Sequence, residues 1–216
     1  MARTTTNSSS RVGGSTRLTE LQSYYKNEEN IWDIGCDHGL LGSSFKDHEN
    51  IQSIHLVDPS LPVINKLKDS YISVPKIKIH HKQGQGLFIE SKSNLIFIAG
   101  MGGKEIGEII SRLHGQLDST SRFVISPHRK ILELRSLLNT LPISLLSERV
   151  VEENGQFYQI VELSLSSDGP KVPQYGEEIW KSETGLRYLK HQILHFSSHK
   201  DLASREYVSF LKARNP

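Results

Sequence analysis

Five short clusters in this 216-residue chain combine residue types that can hold or act on a ligand. The first is Asp33-Ile34-Gly35-Cys36-Asp37-His38-Gly39, in which two glycines frame three polar or nucleophilic side chains. Gly35 and Gly39 let the backbone pass close beneath a bound molecule, and Cys36, Asp37 and His38 project around it. The second is Asp58-Pro59, about 20 residues further on, where an acidic side chain can accept hydrogen bonds from both hydroxyls of a ribose. An Asp at that point also caps the helix that follows Pro59, so both uses stay open. The third, Gly84-Gln85-Gly86, offers an amide oxygen that can accept a hydrogen bond from an exocyclic amino group. The fourth, Ala99-Gly100-Met101-Gly102-Gly103, has three glycines in four positions. Each costs conformational entropy, which fits a backbone that must run flush against a ligand. The fifth, Ser126-Pro127-His128, sets two hydrogen-bonding side chains about an apolar wall.

The elements that must position these clusters are legible as alternating runs. Apolar strand candidates are 31–34, 53–57, 76–80, 94–99 and 122–126, each directly before one of the clusters. Helical stretches fall at 16–26, 40–46, 61–70, 104–113 and 131–138, and the alternation predicts a parallel sheet with helices on both faces. Residues 145–152 and 156–163 are rich in β-formers and separated by Glu153-Asn154-Gly155, so a hairpin adds an antiparallel edge. Gly169, Pro170 and Pro173 mark a boundary, after which 177–214 read as helix broken near Ser197-Ser198. The expected fold is therefore α/β, a Rossmann-like sheet with an antiparallel terminal hairpin and a short helical C-terminal extension. A ligand in such a sheet sits beyond the carboxyl ends of the strands. The glycine spacing after the first strand is not the Gly-x-Gly-x-x-Gly of nicotinamide enzymes. The terminal hairpin instead matches class I methyltransferases that use S-adenosylmethionine. The expected division is a disordered tail over 1–15, a cofactor-binding domain over 16–168 and the helical extension over 169–216.

Composition narrows the setting. A single cysteine, Cys36, excludes an internal disulfide and fits a reducing compartment. No apolar run approaches the roughly 18 residues needed to span a bilayer, so no membrane partner and a cytoplasmic location are expected. The net charge is only +2, yet residues 1–17 carry three Arg and no acid, and 171–216 carry eight Lys or Arg against five acids. Basic ends on a mildly acidic core fit a polyanion gripped from the periphery, or simply two solvated ends. His191, His195 and His199 recur every four residues and would share a helical face; without a nearby Cys they are read as an RNA-facing or solvated face, and no metal is expected. Tyr188, Ile193 and Leu194 are expected to dock that helix on the core. The sequence fixes no oligomeric state, and a monomer is the default expectation.

With those residues in hand, the chain resembles the bacterial tRNA (adenine-N1)-methyltransferase family known as TrmK. The resemblance rests on Ser15-Thr16-Arg17-Leu18, Asp33–His38, Ile98–Gly103, and a final hairpin carrying Glu148, Glu153, Gly155 and Tyr158. It runs from about Ser15 to Leu163 and implies a class I fold, S-adenosylmethionine, and methylation of an adenine in the D-loop region of tRNA. On that reading Asp33, Gly35, Cys36, Gly39, Asp58, Pro59, Gln85 and Gly86, with Ala99 through Gly103, hold the cofactor. Asp37 and His38 line the methyl-transfer side. Ser126 and His128 contact the base edge, with Pro127 as apolar wall. Arg17, Lys104, Arg187 and Lys190 are the candidate contacts to the tRNA backbone. Three departures stand out: Gly84-Gln85-Gly86 where the family has Gly-Asp-Gly, Ser126-Pro127-His128 where it has Gln-Pro-Asn, and an abbreviated helical extension. Two other readings remain open, a methyltransferase of this fold acting on another RNA or a small molecule, and a non-catalytic RNA-binding protein.

Overall fold

The computed structural model describes residues 15–90, 93–199 and 201–214. Apart from Ser15, the expected tail over 1–15 lies outside the described residues.

Among the described residues seven strands form one sheet. They are β1 (Asn30–Ile34), β2 (Ser53–Asp58), β3 (Ile77–His81), β4 (Asn94–Ala99), β5 (Arg122–Ser126), β6 (Ser144–Glu153) and β7 (Gln156–Ser164). Their order is β3-β2-β1-β4-β5-β7-β6. The first five strands run parallel, and β7 inserts antiparallel between β5 and β6. The hairpin closes through Asn154 and Gly155, both at positive φ (52° and 74°), the backbone that suits a two-residue turn between twisted strands.

Alternate residues of the central strands enter two cores. Ile31, Ile54, Leu56, Leu95 and Phe97 face α1 (Thr16–Gln22), α2 (Leu40–Ser43) and α3 (Leu61–Tyr71). Ile34, Val57, Ile96, Ile98 and Ile125 face α4 (Gly103–Leu113) and α5 (Ile131–Leu138). This two-sided burial explains the near-continuous apolar character of β1, β4 and β5. A third cluster joins Val150 of β6 to α6 (Glu183–Ser197) and α7 (Leu202–Lys212) through Trp180, Tyr188, Leu189, Tyr207 and Leu211. Arg135, fully buried, pins this layer to the sheet. It donates to Glu148 at 2.6 Å, to Gln159 at 2.9 Å and to the Pro173 carbonyl at 2.8 Å. A buried cation held by three acceptors tolerates loss of none of them.

Three expectations are corrected. The first helix stops at Gln22 rather than Lys26. The Tyr24 carbonyl is taken by the buried Arg122 guanidinium, and that redirects the chain into β1. The second helix spans only Leu40–Ser43, not 40–46. Leu194 is 78% exposed and does not dock α6; Tyr188 and the partly buried Ile193 do, together with Leu189. Among the described residues no helix is long and apolar enough to cross a membrane.

Candidate active site

The carboxyl ends of β1, β2, β4 and β5 converge on one edge of the sheet, and four of the five sequence clusters start there. The β1 loop is fixed to its neighbour: Gly35 and Cys36 both donate their N–H to the Val57 carbonyl (2.8 and 3.1 Å). Gly35 lies at φ +75°, and a Cβ there would sit 2.0 Å from Met101 Cε. The Met101 side chain therefore packs over the β1 turn rather than reaching outward. Asp37 is held in the left-handed region at φ 47°, a conformation that costs a non-glycine residue energy and marks a constrained loop.

Two carboxylates sit under this loop. Asp33 is buried, and its Oδ2 accepts the Gly42 N–H at 2.9 Å, tying α2 to β1. Burial, with a smaller contribution from the Asp58 charge, raises its pKa to about 6. Asp58 is also buried; Oδ2 accepts the Asp37 N–H at 3.2 Å and Oδ1 the Ser60 N–H at 2.8 Å. It thus does the capping work and also stitches the β1 and β2 loops together, leaving one lone pair on each oxygen for a ligand. Burial and the neighbouring carboxylates push the Cys36 thiol up, so it remains a neutral wall and not a nucleophile. A cleft of about 230 Å³ opens above these groups, lined by Asp33, Gly35, Cys36, Asp37, His38 and Ala99 on one side. Ser15, Arg17, Leu18 and Glu153 close the other side. His38 Nδ1 lies 2.7 Å from Asp37 Oδ2 at the open rim.

The β4 and β5 loops are laced together. His128 N–H donates to the Met101 carbonyl and Gly103 N–H to the Arg129 carbonyl, each at 2.9 Å. A Cβ at Gly103 would meet the Lys130 carbonyl at 2.3 Å, so this glycine is required for the close approach. Gly86 and Gly100 differ: a Cβ at Gly86 meets nothing within 4 Å, and at Gly100 only His128 Nε2 at 3.9 Å. Bare backbone facing open space at these points, one after β3 and one after β4, leaves room for a flat ligand laid across the strand ends.

Arg17 organises the other side of the cleft. Its guanidinium donates to His128 Nε2 at 3.1 Å and to the Ser126 carbonyl at 3.3 Å, and it lies 4.5 Å from the centroid of the Tyr158 ring. Its backbone N–H donates to Glu153 Oε1 at 3.2 Å. The His128 ring is tilted against Tyr158 with centroids 5.8 Å apart. Partial burial, and then the Arg17 charge, hold the His128 pKa below its ordinary value, so its neutral form accepts from Arg17.

Several expected contacts fall elsewhere. Ser126 is fully buried, and its hydroxyl has no partner among the described residues while its carbonyl accepts from Arg17; it is not presented to a base edge. Pro127 is buried and His128 is exposed. Gln85 turns outward to Glu108 at 3.4 Å, and Pro59 is exposed. Arg17 is folded into the site rather than free at the surface. Lys104 reaches toward Glu108 at 3.9 Å, and Arg187 is paired with Glu152 and Glu183; Lys190 is exposed. His199 lies past the end of α6, so the three histidines do not share one continuous helix face. Two residues had no role in the sequence reading, Tyr158 and Glu153. Their signal was the hairpin motif itself, which places both on the strand pair beside β5.

Comparison with known proteins bears on the family and the fold. The family described as "Methyltransferase domain" matches residues 14–161. A Bacillus subtilis (strain 168) protein, tRNA (adenine(22)-N(1))-methyltransferase, is 27% identical over 150 residues, 68% of this chain and 63% of its own length. Matches to the three curated relatives span between 61% and 66% of their lengths. Among solved structures, a Streptococcus pneumoniae protein in complex with S-adenosyl-L-methionine superposes with TM-score 0.80 at 21% identity, covering 94% of this chain and 99% of that one. TrmK of M. capricolum in complex with S-adenosyl-homocysteine superposes with TM-score 0.73 at 17% identity, covering 93% and 94%. At these identities the two structures share the fold.

Proposed function

The chain belongs to the methyltransferase-domain family, and from that premise we propose that it transfers the methyl group of S-adenosylmethionine to N1 of an adenine in tRNA. The observation that carries this is the pairing of two half-sites across the strand ends. The β1 loop and Ala99 at the end of β4 form an acid-bearing cradle, and Arg17, which joins His128 and Tyr158 beside β5, closes its other side. The named activity of the Bacillus subtilis relative supports the choice of adenine N1.

Gly35, Cys36, Asp58, Ala99 and the bare Gly86 and Gly100 would hold the cofactor, with Asp33 beneath the β1 loop setting its charge environment. When bound, S-adenosylmethionine supplies an electrophilic methyl on a cationic sulfur. The protein's own task is to orient the acceptor and bear the positive charge that moves to the base. Adenine N1 attacks through an in-plane lone pair, so no proton must leave as the bond forms. His128, kept neutral beside Arg17, offers a hydrogen-bonding edge, and Tyr158 an aromatic surface. Pulling a paired base from its stack costs a few kcal/mol, offset by contacts to the RNA backbone. Residues 16–168 act as the catalytic domain and 169–216 as the helical extension that meets RNA. A tRNA substrate places the protein in the cytoplasm.

The test is titration with S-adenosylhomocysteine followed by tritiated-methyl transfer to unmodified tRNA and nucleoside analysis. Micromolar binding with label in N1-methyladenosine is expected. Binding without label in any nucleoside would move the substrate to a small molecule or another RNA. Affinity weaker than about a millimolar would favour a non-catalytic RNA binder.

A further inference from the structure

A second cleft, of about 290 Å³, lies on the far side of His128 from the first. It is walled by the β5–α5 loop, the start of β7 and one face of α6. Unlike the first cleft, which is lined by Asp33, Asp37 and Glu153, it is lined by no Asp or Glu among the described residues. Arg129 and Lys130 enter from the loop, Gln156 and Phe157 from β7, His191 and Gln192 from α6. Phe157 and His191 form an aromatic pair with centroids 5.4 Å apart at 48°. Lys130 Nζ lies 3.5 Å from Glu133 Oε1. The Arg129 backbone is held where its carbonyl accepts the Gly103 N–H. Its exposed side chain passes Gly102, with Nε 3.5 Å from where a Cβ on that glycine would sit, and so runs between the β4 loop and this second cleft.

We infer that this cleft seats the nucleotide adjoining the methylated adenine in single-stranded RNA. The ring of that nucleotide rests against Phe157 and His191, and its phosphate meets Arg129 and Lys130. The inference rests on the reaction proposed above and names where its RNA continues. The physical argument is the charge division at His128. A base delivered to the acid-bearing cleft arrives on an anionic backbone, and that backbone leaves by the acid-free side. Aromatic faces joined to cations are how unpaired nucleotides are held, since every base has a π-face and every linkage a charge. This also gives α6 a function in spite of its shortness: the extension need only complete one wall of a nucleotide seat.

The experiment is fluorescence anisotropy of a short labelled single-stranded RNA with the full chain saturated with S-adenosylhomocysteine. Phe157→Leu keeps the apolar bulk but removes the aromatic face, and His191→Ala removes an exposed ring. Each is expected to weaken RNA binding about fivefold or more, with S-adenosylhomocysteine affinity unchanged as the check on folding. Arg129→Gln is expected to weaken binding of all sequences alike and to lower the salt slope by about one. Binding within twofold of wild type for both Phe157→Leu and His191→Ala, with the fold intact, overturns the inference. So does equal sensitivity of these variants toward labelled polyglutamate, which would make the cleft an acidic-peptide site. Normal methylation of tRNA with insensitive RNA binding removes the seat and leaves the reaction. Sensitive RNA binding without methylation removes the reaction and leaves the seat.

Discussion

Replacing Arg17 by Met tests the acceptor side of the site most directly. The substitution keeps the aliphatic stem beside Leu18 but removes the guanidinium that donates to His128 Nε2 and the Ser126 carbonyl and covers Tyr158. A hydrogen bond from a charged donor is worth about 1.5–3 kcal/mol, and a partly desolvated cation–π contact about 0.5–2 kcal/mol. Part of this is recovered when water takes the vacated positions, so a net loss of about 2 kcal/mol is expected, roughly 30-fold in kcat/KM for RNA. A second signature comes from pH. In the native protein the His128 pKa is held down first by burial and then by the Arg17 charge. Without Arg17 the second cause disappears, the pKa moves back toward the ordinary value of about 6.5, and the acid limb of the kcat/KM profile shifts to higher pH. The assay is tritiated-methyl transfer to tRNA across pH 5 to 8, with S-adenosylhomocysteine affinity measured in parallel. A kcat/KM within twofold of wild type and an unmoved acid limb would refute the role given to the cluster. A loss confined entirely to cofactor affinity would instead assign Arg17 to the cofactor side.

Gly86→Val should leave thermal stability nearly unchanged, since a Cβ there meets nothing within 4 Å, yet weaken S-adenosylhomocysteine by tenfold or more; equal affinity in calorimetry would remove Gly86 from the cofactor cradle. His55 lies on β2 between Trp32 and His80, and burial, then the His80 and Lys78 charges, lower its pKa to about 3. The unfolded chain therefore takes up the proton first as pH falls below about 6.5, and stability contributed by neutral His55 is lost progressively toward pH 3. A loss of about 1–2 kcal/mol by pH 5 is expected after allowing for its partial exposure. Asp33, with its pKa raised to about 6, acts with the opposite sign, because the folded state binds its proton first. Urea unfolding of wild type and His55→Gln at pH 7 and pH 5 separates the two. If both proteins lose equal stability on acidification, His55 is not the cause.

The fold was legible wherever a local pattern is also the tertiary one. The limits of β4, β5 and α5 follow from apolar runs buried on the expected face and closed by turn residues. The hairpin follows from Asn154-Gly155, whose positive φ values only such residues adopt cheaply. Errors appear where a distant partner decides. The first helix ends early because Arg122, 98 residues away from Tyr24 in sequence, claims the Tyr24 carbonyl. Arg17 reads as a surface cation near a basic tail, yet Tyr158 and His128, both far along the chain, draw it inward. Ser126 occupies the last position of a strand, where one residue of pleat decides between core and cleft, and here the residue is fully buried.

The polar groups around the cleft also constrain what sort of acceptor it can serve. A carbon or exocyclic-amine acceptor must shed a proton, and that requires a free base near the transferred methyl. Around this cleft most of the basic groups are already engaged. His128 Nε2 faces a guanidinium, whose charge opposes any proton arriving there. Glu153 is held below its ordinary pKa, chiefly by its hydrogen bond to Ser15 and then by the backbone N–H groups at the start of α1. Asp37 Oδ2 is bound to His38 Nδ1, which leaves His38 Nε2 open at the rim, and the Asp58 oxygens accept loop N–H groups. Asp33 has a pKa near neutrality, but it is buried under the β1 loop and spends Oδ2 on Gly42. An acceptor that attacks through a lone pair and keeps no proton at the reacting atom needs none of these groups as a base. A ring nitrogen is therefore served by the site as it stands, whereas an exocyclic amine or a carbon would depend on His38 Nε2 to take the proton.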